Sequence, residues 1–321
     1  MAYSSGGLIQ AADYNGFASS TAGANVNNVW STGSTDSGWG QTALATVATE
    51  GTITATQWAS LVNTISSMAS QTGTTITSRV APVAGNTINI LAALNTDLTN
   101  ITNNRQNAVA NGTQFTGWTG TNSLTGGRGA GAWSITFTNT VTWASADAAR
   151  YFFNAGGRIK IDVSKTATGA TGDPEWNDLA NTLCGDIFIT GGTATQTIAG
   201  ASYTGTTKVG GTGAPNILLT TTGWYDLTAG AAATIVYKQF ADTAPYTANF
   251  IQHSIAKGAS SNTLVITTLW SASDGDPITG GTASSGATPG TAPTTIVTYF
   301  PPSTTYLSAS WGTPTIAATT A

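Results

Sequence analysis

Trp133-Ser134-Ile135-Thr136-Phe137-Thr138 alternates apolar and hydroxyl side chains, and Arg158-Ile159-Lys160-Ile161-Asp162-Val163 repeats the alternation with charges at the polar positions. A period of two is the signature of a strand with one buried face and one wet face. These two stretches decide the fold class of the C-terminal part. The first strand is expected to end at Asn139, where the alternation fails, and Val141 and Trp143 alternate again in a short run. Ala146 to Ala149 reads as one helical turn, and Asn154-Ala155-Gly156-Gly157 as a turn cluster. Further strands are expected at Asp186–Thr190, Ile217–Thr221, Thr234–Phe240, Phe250–Ile255, Thr263–Trp270, Thr294–Phe300 and Thr305–Ser310, with a long Gly/Ser/Thr/Ala/Pro loop from Gly280 to Pro293. Strands of this spacing joined by turn residues predict an antiparallel β-sandwich, jelly-roll-like, over residues 133–321. No internal repeat emerges, which argues against a solenoid or propeller.

Upstream the period changes to that of helices. A weak helix is expected from Asp13, as N-cap, toward Trp30, and Ser31 to Gly40 reads as loop. Thr54 and Gln57 form a capping-box pair ahead of Trp58, Leu61, Ile65, Met68 and Thr72, with Gly73 where a C-terminal glycine belongs. A third helix is expected from Asn86 or Thr87, carrying Leu91, Leu94, Leu98, Ile101 and Arg105 at the same three-and-four spacing. Two readings of these stripes stand side by side. Trp58, Leu61, Ile65 and Met68 pack on Leu91, Leu94, Leu98 and Ile101 within one chain, or the eight form a seam that joins identical chains about an axis. The whole reads as an α+β multidomain chain: a helical attachment or oligomerisation region over 1–111, a Gly/Thr-rich linker over 112–132, and the sandwich.

Composition narrows the function. The 321 residues include 10 Lys or Arg and 14 Asp or Glu, 38 Gly, and by count 62 Thr. Ten basic residues do not supply the density a nucleic-acid binder needs to displace counterions, so no nucleic-acid partner is expected. No apolar run is long enough to span a bilayer, so no membrane insertion is expected. The opening residues lack a basic, then apolar, secretory pattern, so assembly in a cytosol is expected. A surface of Thr, Ser, Gly and Asn is weakly repelled by copies of itself, which suits a part that assembles.

Few residues offer chemistry. His253 is the sole histidine and Cys184 the sole cysteine, too few nitrogen and sulfur donors for a transition-metal centre. His253 is expected as a surface or hydrogen-bonded strand residue, and Cys184 as a small buried hydrophobe. No Gly-x-Ser-x-Gly elbow accompanies the histidine. Gly126-Gly127-Arg128-Gly129 lacks the Gly-Lys-Ser/Thr ending of a phosphate loop. Asp173-Pro174-Glu175-Trp176-Asn177-Asp178 and Asp274-Gly275-Asp276-Pro277 gather acids. They read as solvated turns, with a glycosidase pair or a calcium site as the sharper alternatives. Trp133, Trp143, Trp176, Trp224, Tyr225, Tyr237, Tyr246, Trp270, Tyr299, Tyr306 and Trp311 are core rings by default; some could stack on sugars or on a neighbouring subunit instead. No enzyme activity and no cofactor are expected.

Two stretches carry a resemblance. Tyr3-Ser4-Ser5-Gly6-Gly7-Leu8-Ile9-Gln10, with Asp13-Tyr14-Asn15, Gly38-Trp39-Gly40-Gln41 and Thr54-Ala55-Thr56-Gln57-Trp58, resembles the start of virion structural proteins of tailed bacteriophages, those of marine and cyanobacterial phages above all. Ala148-Ala149-Arg150-Tyr151-Phe152-Phe153-Asn154-Ala155-Gly156-Gly157-Arg158-Ile159 is similar to a segment of the same group, and Tyr246-Thr247-Ala248-Asn249-Phe250-Ile251 also fits. The resemblance implies a virion location after assembly in the host cytoplasm, as a tail, fibre or neck component. Combined with the change in composition near residue 112, it leads to a homo-oligomer, a trimer above other states formed through the helical part, with other virion proteins as partners. A capsid decoration or head-fibre protein is the alternative within the virion, and a glycan-binding adhesin, with host surface glycan as partner, is the alternative class.

Overall fold

The structure is a computed structural model that describes residues 10–19, 23–85, 93–121, 133–166, 173–244, 246–272 and 293–320. Near the N-terminus, α1 spans Ala11–Ala18 and α2 spans Val26–Trp30. The single weak helix expected here is thus two. Asp13 is not the N-cap; its carboxylate accepts the backbone N–H of Gln10 at 2.9 Å, one turn before, and Gly23 at φ 129° sets the entry to α2. α3 spans Ala55–Thr72 with both capping bonds in place: Thr54 N–H donates to Gln57 Oε1 at 2.8 Å, and Gln57 N–H donates to Thr54 Oγ1 at 3.2 Å. Gly73 closes it in the left-handed conformation, as its position requires. α4 spans Leu94–Asn103; the start expected at Asn86 or Thr87, and Leu91 with it, lies outside the described residues.

Between α2 and α3 the chain runs extended over residues 42–48 without a strand partner. Two asparagines replace one. Asn27 donates to Leu44 O and accepts Leu44 N–H, both at 2.8 Å, while Asn15 donates to Val47 O at 2.7 Å and accepts Val47 N–H at 2.8 Å. Each side-chain amide mimics a peptide group, so the extended backbone is satisfied without a ladder.

Among the described residues the β part is an antiparallel sandwich of two sheets. The first contains β1 (Phe115–Thr121), β3 (Arg158–Ser164), β4 (Asp186–Ile189), β7 (Thr206–Val209) and β12 (Thr294–Phe300), in the order β1-β12-β3-β4-β7. The second contains β2 (Trp133–Thr142), β8 (Ile217–Leu218), β9 (Thr234–Phe240), β10 (Phe250–Lys257), β11 (Thr263–Ala272) and β13 (Thr315–Thr320), in the order β13-β2-β11-β10-β9-β8. A hairpin of β5 (Gln196–Ile198) and β6 (Ala201–Tyr203) stands apart. β3-β4-β7 and β8-β9-β10-β11 are meanders, and the long-range pairs β2-β11 and β1-β12-β3 tie chain ends together. This order does not single out a jelly roll. The edges β1 and β13 lie against each other, as do β7 and β8.

Five expectations are corrected. Phe115–Thr121 falls in the expected linker, yet it pairs with β12, where Phe115 stacks on Tyr299 at 5.2 Å. The glycines that suggested a linker make room instead: at Gly117 a Cβ would overlap the Ile316 side chain. β2 does not stop at Asn139, because that residue pairs with Ile266 on one side and Ala318 on the other, and a ladder on both edges overrides its low strand propensity. Residues 146–149 begin a longer helix, α5, Ala146–Asn154, capped by the Ser145 hydroxyl. Thr305–Ser310 is turn rather than strand, and β13 beyond it is a strand the sequence reading missed, as are β5, β6 and β7. The acid-rich 173–178 segment is not a turn either; it is α6, Asp173–Asp178, continuing as a π-helix over Leu179–Cys184.

The core lies between the sheets, on the inward rows Ile135, Phe137 and Val141 of β2, Ile159, Ile161 and Val163 of β3, and Ile266 and Trp270 of β11. Trp176 from α6 closes against Trp133 and Trp270 at centroid distances of 4.9 and 5.8 Å. One continuous cluster runs from these residues to Trp58, Leu61 and Met68, so the boundary expected at residue 112 does not divide the core. No helix among the described residues is long and apolar enough to cross a membrane.

His253 is inside this core rather than on the surface. Its Nδ1 lies 3.0 Å from Thr268 Oγ1, its ring stacks on Tyr237 at 5.4 Å, and burial pushes its pKa down to about 3. Folding therefore requires the neutral ring, whereas the unfolded chain takes up a proton below about pH 6.5. Stability is full above that value and falls as pH drops toward 3. We expect urea unfolding to lose about 1.4 kcal/mol per pH unit over that window from this group. His253→Gln, which keeps a partner for Thr268, should have a shallower slope by that amount.

Candidate functional site

The sequence proposed eight seam residues. The structure buries seven of them, Trp58, Leu61, Ile65, Met68, Leu94, Leu98 and Ile101, at 1% exposure or less within a single chain. α3 packs against α2 and α4, and Tyr14 meets the Trp58 ring edge-on at 5.4 Å. Leu91 lies outside the described residues. A face covered by its own chain offers no contact to a second one.

Other candidates disperse. Cys184 is buried, and burial pushes its thiol pKa up to about 12, so it is an inert apolar group. Glu175 and Asp178 sit half-buried on α6; the side chain of Asp173 and the whole of Asp274–Pro277 lie outside the described residues. Among the described residues no group of three His, Cys, Asp or Glu side chains could hold a metal ion. The tryptophans point inward: Trp133, Trp143, Trp176, Trp224, Trp270 and Trp311 are all buried, and of the rings named from the sequence only Tyr306 is exposed.

What the structure does bring together is the two stretches that carry the resemblance. Gly38-Trp39-Gly40-Gln41 meets α5 at Tyr151 and Asn154. Trp39 is fully buried, and its Nε1–H is shared between the carbonyls of Arg105 at 3.1 Å and Asn154 at 3.0 Å. Asn154 answers through its side chain: Nδ2 donates to Gly38 O at 3.1 Å, and Oδ1 lies 2.9 Å from the Tyr225 hydroxyl and 3.4 Å from Gln106 Nε2. Burial raises the Tyr225 pKa, so this phenol stays a donor. Gln41 then holds the far end of the chain. Its Nε2 donates to Trp39 O and Ser308 O, both at 3.0 Å, and its Oε1 accepts Ser308 N–H at 2.8 Å and the Ser308 hydroxyl at 2.6 Å. The Ser310 hydroxyl donates back to Trp39 O. Arg150 reaches over the same loop, donating to Thr32 O at 2.7 Å and to Ser37 O, with Asp147 at 2.8 Å.

Space enforces this clasp as well as polarity does. Gly38 and Gly40 have φ of 97° and 68°. A Cβ on Gly38 would overlap Thr32 O, and one on Gly40 would overlap the Tyr151 ring. Both residues must lack a side chain for the loop to lie flat on α5.

The two sheets present different outer faces. On the first, Arg158 is not on a wet face as its alternation suggested. Its guanidinium sits among the rings of Tyr203, Phe300 and Phe188 at 4.7, 4.7 and 5.5 Å and donates to Asn111 Oδ1 at 2.7 Å. The β5-β6 hairpin thereby covers part of this face. Lys160, the next charge along β3, stays partly exposed 3.3 Å from Asp186 and 3.6 Å from Asp162. On the second sheet many of the outward residues are hydroxylic. Register places Thr319, Thr138, Thr267 and Ser254 in one cross-strand row and Thr315, Thr142 and Thr263 in another. No strand of this sheet contains Asp or Glu, and its outward charge is Lys238, whose ammonium lies 3.7 Å from the Phe250 centroid and 4.6 Å from that of Phe240.

Compared with known proteins, the chain matches no family model, no curated protein and no solved structure.

Removing the centre of the clasp strands several buried groups at once. We expect Asn154→Ala to cost about 2–4 kcal/mol in urea unfolding, since Gly38 O, the Tyr225 hydroxyl and Gln106 lose a partner together. Gly40→Ala should cost at least as much, through the ring overlap and the left-handed backbone. Lys160→Ala, at a partly exposed pair, should stay within about 1 kcal/mol.

Proposed function

We propose that this chain is a non-enzymatic structural subunit of a tailed-phage virion, in a tail, fibre or neck position. The observation that carries the reading is the outer face of the six-stranded sheet. It is broad, partly exposed, and built mainly of Thr, Ser, Ala, Val, Leu and Gln, with Lys238, Phe240 and Phe250 grouped on β9 and β10 and no acid among its strands. A face whose strands carry no carboxylate, and whose outward charge is Lys238 over two rings, can be buried against a neighbour at less desolvation cost than a charged one. The resemblance of the 38–41 and 148–159 stretches to virion proteins points the same way. A homo-oligomer fits this surface better than it fits the helical stripes, which the chain itself buries; the trimer expected through those stripes loses its basis.

A capsid decoration or head-fibre position uses the same surface and differs only in copy number. No observation favours the adhesin reading, since the tryptophans that would stack on sugars are inside.

The experiment is peptide mass spectrometry and antibody labelling of density-purified particles from a culture carrying this gene. The subunit should co-purify with particles, and the label should fall on the tail or neck. A copy number matching the capsid lattice would move it to the head. Its absence from washed particles would overturn the reading.

A further inference from the structure

We infer that the outer face of the second sheet docks face to face on the same face of a second copy of this chain, about a two-fold axis near Thr267. This rests on the reading of the chain as an assembling subunit and names the surface that does it.

Three features of the face argue for this occupant. The first is area. The strands of six to ten residues (β13, β9, β10, β11 and β2) lie side by side. At about 4.8 Å between strands and about 3.3 Å per residue they present a footprint of roughly 600 Å². That approaches the ~800 Å² per partner of a standard stable interface.

The second is self-complementarity. A two-fold axis brings each residue against its own surroundings, so a charged face would meet its own charge. Here the central rows are Thr319-Thr138-Thr267-Ser254 and Thr315-Thr142-Thr263, with Thr140 beside Val265 and Ala317 between them. Each Thr offers a methyl group to pack and a hydroxyl that both donates and accepts, so threonine can face threonine. Lys238 stands toward the β8 edge, with its ammonium already over two rings, where it can stay at a rim.

The third is contrast within the molecule. The chain lays its own hairpin on the first sheet, with Arg158 enclosed beneath it, while the threonine rows of the second keep partial exposure. Two twisted sheets pack well at about 30° and about 10 Å apart, a geometry that identical faces satisfy as readily as different ones.

The test uses the full chain and a short bismaleimide that bridges about 10 Å. Cys184 is buried, so Thr267→Cys supplies the accessible thiol near the axis. We expect it to give a covalent dimer, whereas Ser202→Cys, exposed on strand β6 of the β5-β6 hairpin, should give none. Sedimentation should show the wild-type dimer unaffected by 1 M salt, since charge does not hold it. Thr138→Glu with Thr267→Glu should weaken association at least about 100-fold while the far-ultraviolet circular dichroism is kept. If the doubly substituted chain does not fold, the cross-linking pair decides. An oligomeric wild type that does not cross-link through residue 267 overturns this face and leaves the assembling-subunit reading standing. A wild type that is monomeric at micromolar concentration overturns both.

Discussion

The indole of Trp39, shared between the carbonyls of Arg105 and Asn154, is the contact on which the rest of the molecule depends. Three parts of the chain far apart in sequence converge on it: the loop after α2, the segment after α4, and the end of α5. Asn154 completes the arrangement by bonding the loop through its amide. Gln41, two residues on, extends it to Ser308 and so to the approach of β13. Helices too short to be stable alone are thereby made part of the sandwich. The buried network has little room for alternatives, because each amide in it donates and accepts inside the protein.

The scarcity of charge follows a similar logic. Several of the described charges sit where they fix a position. Arg79 and Asp97 pair with both side chains almost fully buried, tying the extended segment after α3 to α4. Arg150 holds the loop onto α5, and Arg158 holds a hairpin onto the first sheet. The second sheet is left to threonine. Hydroxyl groups set much of that surface, and their burial costs far less than that of a carboxylate or ammonium.

Much of this was legible in the sequence. The capping box at Thr54 and the glycine at 73 framed α3 correctly because both are local signals. Thr294–Phe300 was placed to the residue because its β-branched and aromatic run is bounded by Pro293 and Pro301. The failures are non-local. β1 looks like linker until β12 lies beside it and Tyr299 gives Phe115 a ring to stack on. Asn139 looks like a strand end until strands on both sides hold it. Arg158 reads as a wet-face charge until the hairpin folds over it. Trp39 and Asn154 carry no spacing or motif that connects residue 39 with residue 154; the one hint was that both fall in stretches of the same resemblance. The helical stripes were visible, but a stripe does not say which surface will cover it.

Native-state hydrogen exchange tests the central claim, that the clasp makes helices and sandwich one cooperative unit. Amides of α3 and of the β2-β11 ladder should open with the same free energy, and Asn154→Ala should lower both equally. Opening of α3 at a much lower free energy than the ladder, or a loss confined to α3 in the variant, would contradict it.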